Sequence, residues 1–307
     1  MSSTIGNVYR AIKNKHFRAS LVAEYHRRQR ILYVDSRELR DIIYDKRFHR
    51  TLWKKYGPSS LSKYAPPVEE PPHPIPIWMC WFQGFESAPP IVRACRRSFE
   101  RAMPKDTYLR CVSLDDVRQL CNIPDSIWDK YERGVIPNAH LSDIVRLELL
   151  IKYGGVWADA TVFRSPLEGN NSLPSYMTRE HLFMYANAMS ANSAIVTSSW
   201  FIYATPQHPL LMLTRDLIYN YWSKENLLLR YFTFHICFTE ACARLPQYWT
   251  VPTVSNVPPH LLGKELERPY DATRWNELCQ MSAFHKLTHH RDAYDSQSIY
   301  EHLVNLD

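Results

Sequence analysis

The stretch HLSDIVRLELLIKYGGVWADATV, His140 to Val162, decides the fold. It reads as one helix, one glycine turn and one buried strand, with a carboxylate at either end. Ser142 is a good N-cap, and Ile144, Leu147, Leu150 and Ile151 recur at the spacing of an apolar helix face. Gly154 is placed to end the helix, as glycine does where the chain enters left-handed space. VWADATV is otherwise apolar and β-prone, so Asp159 needs a partner or a ligand there. Asp143 and Arg146 stand three residues apart and share a helix face. With Asp159 they form three polar groups able to converge on one small ligand.

Outward from this block, strands and helices alternate. Ile77 to Phe82 (IWMCWF) is continuously apolar and stops at Gln83-Gly84, which predicts a buried central strand. After Pro89 and Pro90, IVRACRRSFERAM repeats its apolar positions every three to four residues and predicts a helix. Thr107 to Val112 reads as a second strand, followed by short helices in LDDVRQLC and SIWDKYERG. HLFMYANAM and SAIVTSSWFIYAT are strand-like, PLLMLTRDLIYNYW is an amphipathic helix from Pro209, and Leu227 to Leu245 is helix-rich around His235. SAFHKLTHH, Ser282 to His290, is short, polar and cationic, and could return to Asp159 in space. This succession predicts an α/β fold, a Rossmann-like mixed sheet flanked by helices.

Residues 1–70 predict a helical N-terminal extension, with Leu39, Ile42 and Ile43 followed by Phe48, Leu52 and Trp53 at roughly helical spacing. PPVEEPPHPIP, residues 66–76, has fixed φ values that favour an extended strap. The boundary therefore falls between an extension, 1–70, and a main domain, 71–307.

Charge separates the same two parts. Residues 1–70 carry 15 Lys and Arg against 7 Asp and Glu, a balance of +8 within a chain total of +6. The body is thus close to neutral. That pattern fits an appendage attracted to an anionic membrane surface better than a nucleic-acid groove. Eight glycines without GxGxxG or GxxxxGK[ST] exclude a dinucleotide-binding turn and a P-loop. Seven scattered cysteines without a CxxC pair indicate neither a disulfide framework nor a zinc site, and read as reduced thiols of a cytoplasmic protein. The N-terminal sequence lacks the apolar core of a signal peptide, and no run of about 18 apolar residues reads as a membrane span.

The block SDIVRLELLIKYGGVWADAT resembles the sugar-binding region, with its DXD motif, of GT-A nucleotide-sugar glycosyltransferases such as fungal mannosyltransferases and the glucosylating clostridial toxins. IWMCWFQGFESAPPIVRAC, AHLSDIVRLELL, GGVWADATV and SAFHKLT resemble phrases of the bacterial capsular polysaccharide synthesis proteins. The resemblance spans roughly residues 75 to 290. It implies a GT-A-type fold and a glycosyltransferase, of hexosyltransferase type, moving a sugar from a nucleotide-diphosphate donor to a hydroxyl of a capsular or other cell-surface glycan.

Residue by residue, it implies that Trp81 stacks on the donor base, with Gln83 beside it in the donor site. Asp143 and Arg146 would engage ribose and sugar or phosphate oxygens. Asp159 matches the first DXD carboxylate, which helps to hold ribose and a divalent cation, Mn2+ or Mg2+. The second carboxylate is replaced by Thr161, a poor ligand for a hard cation. The cation would then rest on Asp159, Thr161 and His285, or leaving-group charge would fall to His285 and Lys286. Asp115, Asp116, His140 and His235 are candidates for a general base. The acceptor would be a glycan or a lipid-linked glycan, met at the inner face of the membrane. The Thr161 departure also motivates a different reading, a nucleotide-sugar-binding scaffold without chemistry.

Overall fold

The computed structural model describes residues 36–64, 70–166, 172–189, 192–289 and 295–306. The first half of the basic extension and part of the proline-rich segment, 65–69, lie outside them. Helix α1 (Ser36–Tyr56) buries Phe48, Leu52 and Tyr56, spaced four residues apart on one face, against the helices Pro209–Lys224 and Thr233–Arg244. The Tyr56 hydroxyl donates to Glu225 Oε1 at 2.8 Å. Residues 36–64 thus share the core of the main body.

From there the chain runs β1 (Ile75–Cys80), α2 (Pro90–Arg101), β2 (Thr107–Val112), α3 (Leu114–Leu120), α4 (Asp125–Glu132) and α5 (Asn138–Tyr153). It continues through β3 (Gly155–Ala158), β4 (Val162–Arg164), α6 (Ser175–Thr178), β5 (Leu182–Ala186) and β6 (Thr197–Ala204). It ends with α7 (Pro209–Lys224), α8 (Thr233–Arg244), α9 (Val257–Glu265), α10 (Ala272–Met281), β7 (Phe284–Lys286) and α11 (Ile299–Val304). A five-stranded sheet has the order β2-β1-β3-β6-β5, in which β1 pairs parallel with β2 and β3 while β6 pairs antiparallel with β3 and β5. β4 and β7 form a separate antiparallel ribbon. The architecture is α/β, a mixed sheet flanked by helices with an N-terminal helix, as the sequence predicts.

The pleat sorts the core into two layers. Trp78 and Trp157 face the layer built with α1, α5, α7 and α8, whereas Ile77, Met79, Val156 and Ala158 face the layer built with α2, α10, α11 and β7. Two details differ from the sequence reading. α5 starts at Asn138, directly after Pro137, so Ser142 lies inside the helix and not at its cap. The apolar VWADATV is not one strand: β3 stops at Ala158, the Val162 amide donates to the Asp159 carbonyl at 2.8 Å to close a tight turn, and β4 leaves for the other sheet. Proline at the second position of β1 is tolerated because it stands at the strand's start.

Gly154 and Gly155 form the link between α5 and β3. Their φ values are +66° and +96°, and a Cβ on Gly155 would lie 2.3 Å from the Pro76 carbonyl oxygen. Only glycine supplies both the left-handed turn and that closeness between β3 and β1.

Candidate functional site

The chain leaves β1 for β2 on one side and later returns as β3 on the other, and a crevice opens at the carboxyl ends of β1 and β3. This is where open α/β sheets bind ligands. The crevice opens into a cleft of about 1310 Å³. Trp81 and Gln83 enter it from the end of β1, Asp143 and Arg146 from α5, Asp159 and Thr161 from the turn after β3, and Lys286 from β7. Of the residues singled out in sequence for the donor and its leaving group, His285 alone lies outside the cleft.

Arg146 organises the floor. Its Nη1 donates to the Ser199 carbonyl at 2.8 Å and lies 3.2 Å from Asp143 Oδ1, while Nη2 reaches Asp159 Oδ1 at 3.3 Å. The guanidinium also rests over the rings of Trp157 and Phe234, 5.1 Å and 5.6 Å from their centroids. Trp157 Nε1 donates to Asp159 Oδ1 at 2.8 Å, and the Asp159 amide donates to the Trp200 carbonyl at 2.9 Å. The carboxylate is therefore fixed at both its backbone and its side chain. Burial pushes the Asp143 carboxyl up to about 7, an effect that Arg146 opposes and the neighbouring Asp159 charge reinforces. Burial acts on Asp159 in the same direction, but Lys286 and Arg146 outweigh it and hold that carboxyl below its ordinary range. The pair is thus split into one firmly ionised carboxylate and one that titrates near neutrality.

β7 brings the distant cationic tail back. Val162 pairs with Lys286 and Phe163 with His285 in the β4–β7 ribbon, and successive residues of a strand face opposite ways. Lys286 Nζ reaches Asp159 Oδ2 at 2.8 Å and Thr161 Oγ1 at 2.7 Å. His285 faces the core, fully buried, with Nε2 2.8 Å from Ser165 Oγ. Burial pushes its imidazole down to about 4, so it is neutral. This corrects the expectation of His285 as a metal ligand or a catalytic group: strand parity turns it away from Asp159 and Thr161. No cluster of three or more His, Cys, Asp or Glu side chains able to hold a metal ion occurs among the described residues. Asp159 already accepts from three donors, and an ammonium bridges it to Thr161. The side chains present do not fit a divalent cation.

The base candidates separate as well. Asp116 caps α3 through a reciprocal pair of hydrogen bonds with Ser113, and neither it nor Asp115 borders the cleft. His140 and His235 do border it, and burial pushes them down to about 4 and about 3. Trp81 meets His289 edge-on, with ring centroids 5.3 Å apart, at the rim. The sequence reading missed Asn256, His260 and Lys264, which also line the cleft. His260 Nδ1 lies 2.6 Å from the Asn256 carbonyl, and Asn256 Nδ2 donates to Ser198 Oγ at 2.8 Å. A signal existed in the i,i+4 pair His260 and Lys264, which share a face of VPPHLLGKE.

The sequence profile of a family described as capsular polysaccharide synthesis protein matches residues 28–303. Among solved structures, the chain is similar to one described as PaToxG Glycosyltransferase, at 16% identity and a TM-score of 0.41, covering 66% of this chain and 80% of that one. No curated protein matches.

Proposed function

The chain belongs to the capsular polysaccharide synthesis protein family, and on that premise we propose that it is a GT-A-type glycosyltransferase. It moves a sugar from a nucleotide-diphosphate donor to a hydroxyl of a growing capsular or other cell-surface glycan. The observation that carries the reading is the convergence of Asp143, Arg146 and Asp159, with Trp81 and Lys286, on one cleft at the carboxyl ends of β1 and β3. Trp81 and Gln83 take the base, Asp143 and Asp159 accept from ribose or sugar hydroxyls, and Arg146 and Lys286 face the diphosphate. In transfer, the bond from the anomeric carbon to the phosphate oxygen breaks and a bond to the acceptor oxygen forms. The acceptor proton leaves with a base, and the departing diphosphate gains the negative charge that Lys286 is placed to stabilise.

The same premise extends to location. Leu39, Ile43, Arg47, Arg50 and Lys54 are all exposed on α1, and at about 100° per residue they fall within an arc of about 80°. Two apolar and three basic side chains on one face suit contact with an anionic membrane, where a lipid-linked acceptor is held. No helix among the described residues is long and apolar enough to cross a membrane.

A thermal-shift panel of nucleotide sugars on the full chain, with manganese and with EDTA, tests the donor reading. Ligand at about a hundred times Kd stabilises by about 2.7 kcal/mol, a clear rise in Tm. Unmoved melting with every nucleotide sugar would defeat the proposal. The scaffold reading, motivated by Thr161, predicts a Tm rise without donor hydrolysis or transfer to any acceptor.

A further inference from the structure

The two hydrogen bonds of Lys286 join Asp159 to Thr161, the two positions that the resemblance matches to a DXD pair. We infer that the Lys286 ammonium is the built-in cation of this cleft, so that the protein binds nucleoside diphosphates without a divalent metal. The inference rests on the donor reading above and concerns how that donor's diphosphate is neutralised.

Charge bookkeeping supports it. Two carboxylates holding a divalent ion sum to zero. Here Asp159 and Lys286 also sum to zero, because Thr161 removes one negative charge and the lysine supplies a single positive one. An ammonium has three N–H donors, and the bonds to Asp159 Oδ2 and Thr161 Oγ1 leave one for a phosphate oxygen. The other oxygen of Asp159 is committed to Trp157 Nε1 and Arg146 Nη2. A divalent ion needs several oxygen ligands and would have to displace a bound ammonium to reach Asp159. Lys264 adds further positive charge to the same cleft. The threonine and the lysine are thus two halves of one arrangement: a neutral hydroxyl accepts from the ammonium that a second carboxylate would otherwise share with a metal.

Isothermal titration of the full chain with UDP and with GDP, each in EDTA and in manganese, tests this. At least one nucleotide is expected to bind in EDTA with a Kd within about threefold of its value in manganese. Lys286→Met should weaken that binding at least tenfold in both buffers, and Lys286→Arg should retain most of it. Electron paramagnetic resonance of manganese added to the unaltered chain should show the free ion at micromolar concentrations. Binding that appears only with manganese, or a manganese signal bound by the protein alone, would overturn the inference while leaving the donor reading standing. Binding in EDTA that Lys286→Met leaves unchanged would also overturn it. No binding of either nucleotide in either buffer would defeat the donor reading, and this inference with it.

Discussion

A Cβ built on Gly263 would sit 2.7 Å from the carbonyl oxygen of Lys286. α9 therefore lies directly on the backbone of β7, and the absence of a side chain at Gly263 sets where the Lys286 ammonium comes to rest. Alanine is the better helix former by about 1 kcal/mol, so Gly263→Ala should leave α9 intact and push β7 aside by a few tenths of an ångström. The expected result is a Kd for nucleoside diphosphate raised about tenfold together with a lowered Tm, because the atom met is backbone and cannot swing aside. A Kd unchanged within twofold would show that β7 accommodates the methyl group without moving the lysine.

Arg146 makes a second test, because its role depends on shape as well as charge. One planar fork reaches the Ser199 carbonyl, Asp143 and Asp159 together. Lysine keeps the charge but presents a single point and cannot span all three. Breaking a buried charge arrangement of this kind costs about 3–5 kcal/mol. Arg146→Lys should therefore lower Tm and reduce kcat/KM at least tenfold, with Arg146→Lys/Asp143→Asn recovering part of the stability by removing one stranded carboxylate. Retention of more than half the activity by Arg146→Lys would refute the requirement for the fork.

What the sequence made legible follows from distance along the chain. Asp143 and Arg146 are three residues apart on one helix, and Asp159 follows one glycine turn later, so local geometry alone brings them together. The strands announced themselves by apolar runs whose alternate residues face two packed layers. Lys286 is different, because it meets Asp159 across 127 positions. Whether Lys286 or His285 faces the cleft depends on the register of β4 against β7, and a shift of one residue exchanges them. The turn at Asp159 was hidden for a related reason: Ala158 to Val162 is apolar enough for a single strand, and only the departure of β4 to pair with β7 ends it.

α1 permits a test of membrane contact that deletion of residues 1–70 does not. Such a deletion would remove Phe48, Leu52 and Tyr56 from the core. Arg47, Arg50 and Lys54 are exposed instead, and basic residues near an anionic surface contribute about 1 kcal/mol each. Arg47→Glu/Arg50→Glu/Lys54→Glu should cut recovery of the full chain with phosphatidylserine vesicles in flotation by well over tenfold, while leaving Tm and nucleotide affinity unchanged. Equal flotation of the two proteins would remove α1 from any role at the membrane.

Asp143 gives the stability of the donor-free protein a pH signature of known sign. Its carboxyl is pushed up to about 7 in the fold from an ordinary 3.8, chiefly by burial. The native state therefore holds a proton that the unfolded chain releases, and the stability this group contributes is complete below 3.8 and lost as pH rises to about 7. Asparagine imitates the protonated form at every pH. Asp143→Asn should then match the original Tm only below about pH 4, and exceed it by a margin that widens between pH 5 and pH 7 and levels off by pH 8. Buried neutral histidines work the other way: His140, His208 and His285 are pushed down to about 4 and His235 to about 3, so their contribution is complete above 6.5 and lost on acidification. Both proteins lose that contribution equally, and it cancels in the difference between their melting temperatures. Calorimetry at half-unit steps from pH 5 to pH 8 measures the difference, and a Tm gap that does not change with pH would show that Asp143 is ionised throughout.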